Sequence, residues 1–206
     1  MSRYTGPRCK LCRAAGLKLY LKGTRCTSPK CAIERRNYRP GQAGQNRIKP
    51  SEYAIRLKEK QKARWSYGMT EKQFRRTFAD AGRAQGNTGA TFMQLLERRL
   101  DNVVYRLGFA LSRQQARQWV SHGHFAVNGQ RVTIPSYRVK PGDAMTAMPS
   151  SRKFVLDNLE GITNPPSPKW LLSDRANLQG TVVSLPERED VDTPVQELLI
   201  VEFYSR

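Results

Sequence analysis

Cys9, Cys12, Cys26 and Cys31 are the only cysteines of the chain, set out as a C-x2-C pair, a thirteen-residue spacer and a C-x4-C pair. Two close pairs joined by a loop can bring four thiolates to one tetrahedral ion, since each pair makes a tight turn and the loop folds the turns together. Zinc is the first choice; four thiolates also suit an iron–sulfur cluster, and the spacing leaves both open. With every position filled by protein there is no opening for water or substrate, so the role expected of the ion is structural. A disulfide framework is the first competing reading. It would need an oxidising compartment, and the opening Met1–Gly6 is not followed by the apolar stretch and cleavage site of a secretory signal. Four unrelated core thiols are the second, disfavoured because every cysteine clusters where core-forming aliphatics are few. Arg8, Lys10, Arg13, Arg25, Lys30, Arg35 and Arg36 lie close to the cysteines in sequence and could stabilise thiolates by their field. The expectation is that the ion shapes this segment into a fixed phosphate-binding surface.

His122 and His124 are the only histidines. No Cys, Asp or Glu lies at ligand spacing beside them, so a place at a helix end or against a phosphate is expected rather than a metal or catalytic one. The sequence has no nucleophile with an evident base, no Gly-x-Gly-x-x-Gly and no Walker pattern.

Charge indicates what such residues would serve. The chain carries 36 Lys+Arg against 17 Asp+Glu, a formal net charge of +19. Residues 1–83 hold 22 basic and 5 acidic side chains, residues 98–153 hold 10 and 2, and residues 154–206 hold 4 and 9. An excess of this size repels itself unless a polyanion neutralises it, which makes nucleic acid the default partner. The basic residues are interleaved with Tyr, Trp, Phe and Leu, as on folded RNA-binding surfaces and unlike a solvated tail. No apolar run approaches the ~18 residues needed to span a bilayer.

The elements that must position these groups are legible in part. Ser51 offers an N-cap to a basic amphipathic helix through Tyr53, Ile55, Leu57 and Trp65. Thr70-Glu71-Lys72-Gln73 has the capping-box form and predicts a second helix through Phe74 and Phe78. Phe92, Leu95, Leu96, Leu100, Val103, Val104 and Leu107 then form one long apolar stripe, ended by Gly108 and read as core. Ser112-Arg113-Gln114-Gln115 starts a further helix, so two helices meet at a tight corner. Its first turn places Arg113 and Arg117 on one side, near free backbone N–H groups that attract phosphate. Asn128-Gly129 predicts a two-residue hairpin, with Asn128 first a turn residue, and Pro135–Asp143 predicts another strand and a Pro-Gly turn. The acidic run Glu187–Asp192 is expected to be a solvated loop.

One family carries this set of motifs together. The run Leu95–Ala110, then Ser112-Arg113, Gln115-Ala116-Arg117, Val120–His124 and Val127-Asn128-Gly129, resembles the bacterial ribosomal protein S-four (uS4) family. The likeness extends to Lys60–Arg64, Tyr67-Gly68, Glu71–Arg75 and the closing Val201–Arg206, and it covers essentially the whole chain. The cysteine array is similar to the metal-binding form of that family.

The resemblance implies an α+β protein: a mostly helical N-terminal domain with a four-cysteine metal knuckle, plus an inserted small α/β RNA-binding module built of a two-helix corner and a short antiparallel sheet. Residues 1–97, with the knuckle in 1–45, would be joined by the segment 195–206, and residues 98–194 would form the second domain, its module spanning about 98–154. It implies a primary binder of the 5′ domain of 16S ribosomal RNA at a multi-helix junction, cytoplasmic in the ribosome, that nucleates small-subunit assembly. It also implies contact with ribosomal protein S-five, an influence on translational accuracy and a place near the messenger RNA entry; some relatives bind their own messenger. The RNA-facing set expected in the module is Arg113, Arg117, His122, His124 and Arg131, with Ser112 capping the helix. In the first half it is Arg35, Arg36, Lys58, Lys62, Arg64, Lys72, Arg75 and Arg76. Pseudouridine synthases and tyrosyl-tRNA synthetases share the module, but Phe154–Arg206 leaves too little chain for a catalytic domain of ~100 residues or more. A zinc-finger regulator of DNA would need a short recognition helix beside the metal, whereas the basic charge here is spread over two different structural units.

Overall fold

The computed structural model describes residues 3–42, 44–46, 49–160 and 167–205. Its helices in chain order are α1 (Arg8–Ala15), α2 (Ala32–Arg35), α3 (Glu52–Ser66), α4 (Glu71–Arg83), α5 (Thr88–Glu97), α6 (Leu100–Arg106), α7 (Arg113–His122), α8 (Arg152–Leu159) and α9 (Glu197–Tyr204). The strands are β1 (Phe125–Val127), β2 (Gln130–Arg131), β3 (Ala144–Ala147), β4 (Leu171–Asp174) and β5 (Gln179–Val182). The chain forms two compact units, Met1–Phe92 with Asp192–Arg206, and Met93–Val191.

In the first unit the Ser51 hydroxyl accepts a hydrogen bond from the Ala54 N–H at 3.3 Å, which starts α3 as its sequence predicts. Thr70 occupies the N-cap of α4 but makes no side-chain cap bond, so the capping box expected there does not form. The apolar spacing of α4 forms the helix without it. Phe74 is fully buried, edge-on to Phe92 at 5.0 Å, and Phe78 joins the same cluster against Phe92 and Tyr204. Each buried phenylalanine contributes on the order of 1.5–3 kcal/mol by leaving water. Cys12, Ala15, Leu19 and Leu21 form a second small core, against which Trp65 of α3 packs.

The second unit is one antiparallel sheet in the order β2-β1-β3-β5-β4, with helices packed on it. Asn128 and Gly129 both hold positive φ, 51° and 79°, as the tight hairpin between β1 and β2 requires. Met145 on β3 faces Val127 on one side and Gly180 on the other, which sets the register across the sheet centre. Leu100, Val104, Leu107, Phe109, Phe125, Met145 and Trp170 are buried in its core.

Two expectations need correcting. The apolar stripe from Phe92 to Leu107 is two helices, because the backbone at residues 98–101 leaves the helix to bond a passing segment. Leu100 N–H donates to Tyr137 O at 2.8 Å, Asp101 N–H to Pro135 O at 3.1 Å, and Val139 N–H to Arg98 O at 2.9 Å. The same exchange explains why 135–143 is not a strand: its bonds go to Arg98–Asp101, leaving one bridge at Arg138, and the sheet resumes at β3 after the Pro141-Gly142 turn. The hairpin β4–β5 extends the sheet beyond the expected module.

Candidate nucleic-acid interface

Gly108 closes α6 in the left-handed region at φ 77°, where a side chain would be strained, and Ser112 opens α7 by accepting the Gln115 N–H at 3.3 Å. The corner so formed encloses a buried ionic network. Arg99 grips the Asp101 carboxylate with two bonds, at 3.0 and 2.7 Å, and Arg117 reaches the same carboxylate at 3.4 Å. Arg106 donates to Glu97 at 3.0 Å. Asn102 donates to the Glu97 carboxylate at 2.8 Å and accepts from Arg113 Nε at 2.7 Å. Arg113 is then braced over the Tyr105 ring at 4.6 Å.

This changes the roles expected at the corner. Arg117 is only 7% exposed and faces Asp101, so it is a positioning residue and not a surface cation. Ser112 is likewise buried, with its hydroxyl engaged in the cap. Arg113 remains half-exposed beside the N-terminus of α7, its guanidinium fixed from two sides. The ionic network itself is not apparent from the sequence. The spacing Glu97, Asp101, Asn102, Arg106 at helical steps is the one hint of it, and it reads equally well as a solvated face.

Past α7, Arg131 is exposed and donates to the His122 carbonyl at 2.9 Å, crossing directly over Gly123, whose φ of 76° ends the helix. His122 is exposed and its ring lies 5.9 Å from that of His124. His124 is half-buried, with Nδ1 2.8 Å from the Ser151 hydroxyl. Burial, then the nearby His122 and Arg131, push its imidazole below the ordinary 6.5. Arg131 and the two histidines thus share one edge, set by the end of α7 and the hairpin. The Asn128 amide ties that hairpin to β3, donating to Asp143 and accepting from Ala144 N–H, both at 2.9 Å.

On the first unit Lys72, Arg75 and Arg76 project exposed from α4, and Arg35 and Arg36 are exposed at the end of α2. Three other expected cations are partly withdrawn. Lys62 pairs with Glu59, Arg64 lies 3.5 Å from Glu71, and Lys58 is half-buried, its ammonium pushed below the usual lysine range by burial and then by Lys62 and Arg39. In the sequence Arg13 stands out only as a neighbour of the cysteines. It donates to the Tyr38 and Arg39 carbonyls and lies over the Tyr38 ring at 4.7 Å, fixing the segment after α2.

Comparison with known proteins identifies this arrangement. Residues 3–97 match the model of the ribosomal protein S4/S9 N-terminal domain, and residues 98–144 match that of the S4 domain. Over the full length of both chains the sequence is 76% identical to small ribosomal subunit protein uS4 of Gloeobacter violaceus. It is 57% identical to that of Dictyoglomus turgidum and 56% to that of Thermus thermophilus, again across whole chains. The chain belongs to the uS4 family. In uS4 terms the corner, the hairpin and the start of β3 fall in the S4 domain, while α1 to α5 and the cysteines fall in the N-terminal domain.

The four cysteines of this uS4 chain are free thiols that line a single small pocket together with Lys22, Arg25, Ala32 and Ile33. Cys12, Cys26 and Cys31 are buried. Burial pushes the Cys12 and Cys26 thiols up, and the neighbouring cysteines add to this. Lys22 N–H donates to Cys26 Sγ at 3.3 Å, the kind of backbone support a thiolate ligand receives. The chemistry of the donor set, four thiols, suits a soft divalent ion. As placed, no group of three or more His, Cys, Asp or Glu among the described residues is close enough to hold one, so the sulfurs would have to draw together around it. Among the described residues no helix is long and apolar enough to cross a membrane.

Proposed function

We infer that this uS4 chain is a structural constituent of the small ribosomal subunit that binds ribosomal RNA and carries no enzymatic activity. The full-length match to relatives named small ribosomal subunit protein uS4 carries this reading. The physical arrangement supports it: exposed cations stand on regular elements, α4 in one unit and the α7–hairpin edge in the other. Such cations meet phosphates without first having to be ordered.

The finer reading follows the resemblance. The chain docks on the 5′ domain of 16S ribosomal RNA, nucleates assembly, contacts ribosomal protein S-five and so influences accuracy, and lies near messenger RNA at its entry. Cys9, Cys12, Cys26 and Cys31 hold one structural ion, zinc ahead of an iron–sulfur cluster, which would cross-link α1 to the start of α2. Footprinting the full chain on small-subunit ribosomal RNA tests the function. Protection confined to a multi-helix junction of the 5′ domain is expected; protection no different from that of an arbitrary transcript would refute it. Replacing Cys9 and Cys12 by Ser should release the ion and weaken RNA binding, and unchanged metal content with unchanged affinity would remove the metal.

A further inference from the structure

Phe154 stands on α8, beyond residues 98–144 that match the S4 domain, and it is 46% exposed. It belongs to a row of four rings in the second unit. Trp119 meets Phe154 edge-on at 5.5 Å, Phe154 lies 5.4 Å from His124 at an interplanar angle of 31°, and His124 lies 5.9 Å from His122. Trp119 is buried, His124 half-buried, and Phe154 and His122 exposed, so the row runs from the core out to solvent. Covering Trp119 accounts for one side of the Phe154 ring and leaves the rest of it in water.

The charge around the row is positive. His122 and Arg131 both lie near enough to His124 to depress its imidazole, and Lys153, also exposed, precedes Phe154 on α8. Among the described residues none of His122, Arg131 and Lys153 is ion-paired. Asp157 is exposed one turn further along α8, which turns an anionic ligand away from that end and toward Arg131. One exposed ring is ordinary on any protein surface, but a row of rings bordered by cations is how proteins hold single-stranded nucleic acid. The ligand that matches has a flat π-face and an attached negative charge.

We propose that Phe154, His124 and His122 form a stacking platform for one unpaired base of RNA, with the adjoining phosphate against Arg131. In a duplex both faces of a base are covered by its neighbours, so only a looped, bulged or terminal base can use the platform. Stacking makes no demand on the edge of the base, and the platform therefore selects unpaired nucleotides without selecting sequence. This rests on the RNA-binding reading and extends it to a helix outside the S4 domain match.

The test uses the full chain and small-subunit ribosomal RNA, with affinity measured over a range of salt at about pH 8, above the ordinary histidine range. Phe154→Leu keeps an apolar cover on Trp119 and removes the π-face. It should weaken binding about tenfold and leave the slope of log affinity against log salt unchanged, because no phosphate contact is lost. Phe154→Tyr should bind as the unmodified chain does. Arg131→Ala should weaken binding and also flatten the slope by about 0.7. Undiminished affinity of Phe154→Leu overturns the proposal, as does an equal loss in Phe154→Tyr, and an unchanged slope for Arg131→Ala overturns the placing of the phosphate. If melting shows that Phe154→Leu is unfolded, His122→Ala, at an exposed ring, decides instead: a loss of about threefold supports the platform and no loss refutes it. If the unmodified chain prefers small-subunit ribosomal RNA to an arbitrary transcript and Phe154→Leu binds equally well, only the platform fails. If that preference is missing, the RNA reading fails with it.

Discussion

Arg117→Met separates a cation that contacts RNA from one that holds the corner together. The structure gives Arg117 7% exposure and a 3.4 Å contact to an Asp101 carboxylate that Arg99 already grips twice. Removing one partner from a buried ion pair typically costs about 3–5 kcal/mol. Here Asp101 keeps its two-point clamp from Arg99, so a loss below that range, about 2 kcal/mol, is expected, at the scale of one hydrogen bond to a charged group. In a unit of this size that lowers Tm by roughly 8–16 °C. The companion variant is Arg76→Met, whose arginine is exposed on α4. Thermal unfolding and salt-dependent RNA binding should give opposite results for the two. Arg117→Met loses stability and keeps the slope of log affinity against log salt. Arg76→Met keeps stability and loses about 0.7–0.9 of slope, the value of one phosphate contact. A slope reduced by that amount in Arg117→Met, with its melting unchanged, would refute the reasoning and return Arg117 to the surface.

Gly123→Ala should destabilise the end of α7 by about 1–2 kcal/mol, because φ is 76° and the new methyl would run into the Arg131 guanidinium. Melting of Gly123→Ala beside Arg131→Ala measures it, and a neutral effect of the first variant would contradict the close crossing. The His124 imidazole should titrate below 6.5 in NMR of the free chain, while RNA phosphate placed against this edge should raise it. A higher value in the free chain would mean that burial is not in control. Since the folded value is the depressed one, His124 costs stability as pH falls through 6.5, and His124→Gln should remove that part of the pH dependence. Glu71 feels burial pushing its pKa up, but hydrogen bonds from Lys60 and Tyr204 outweigh it and hold the carboxyl below 4.5. Its stabilisation is therefore present above 4.5 and lost as pH falls through the folded value. Glu71→Gln should flatten the fall of the denaturant midpoint as pH drops below 4.5, and an unchanged acid limb would count against the pairing.

What the residues alone determined about this protein is what depends on local chemistry and on charge. Asn128-Gly129 can scarcely be anything but a tight turn, Ser51 and Ser112 cap because their hydroxyls are short and in place, and a net charge of +19 demands a polyanion. Such properties need only neighbours in the chain. Tertiary structure decided everything that depends on residues distant in sequence. The stripe from Phe92 to Leu107 looks continuous because apolar periodicity does not reveal that 135–139 will take the backbone bonds at 98–101. Arg113 and Arg117 look equivalent one turn apart, yet Asn102 and Tyr105 hold the first half-exposed while Asp101 draws the second inside. A cleft between α3, α4 and α9 joins residues 53–79 to 203–204, a juxtaposition that no local spacing encodes. Periodicity and capping report one element at a time, whereas burial, pairing and cavity shape arise only when elements meet.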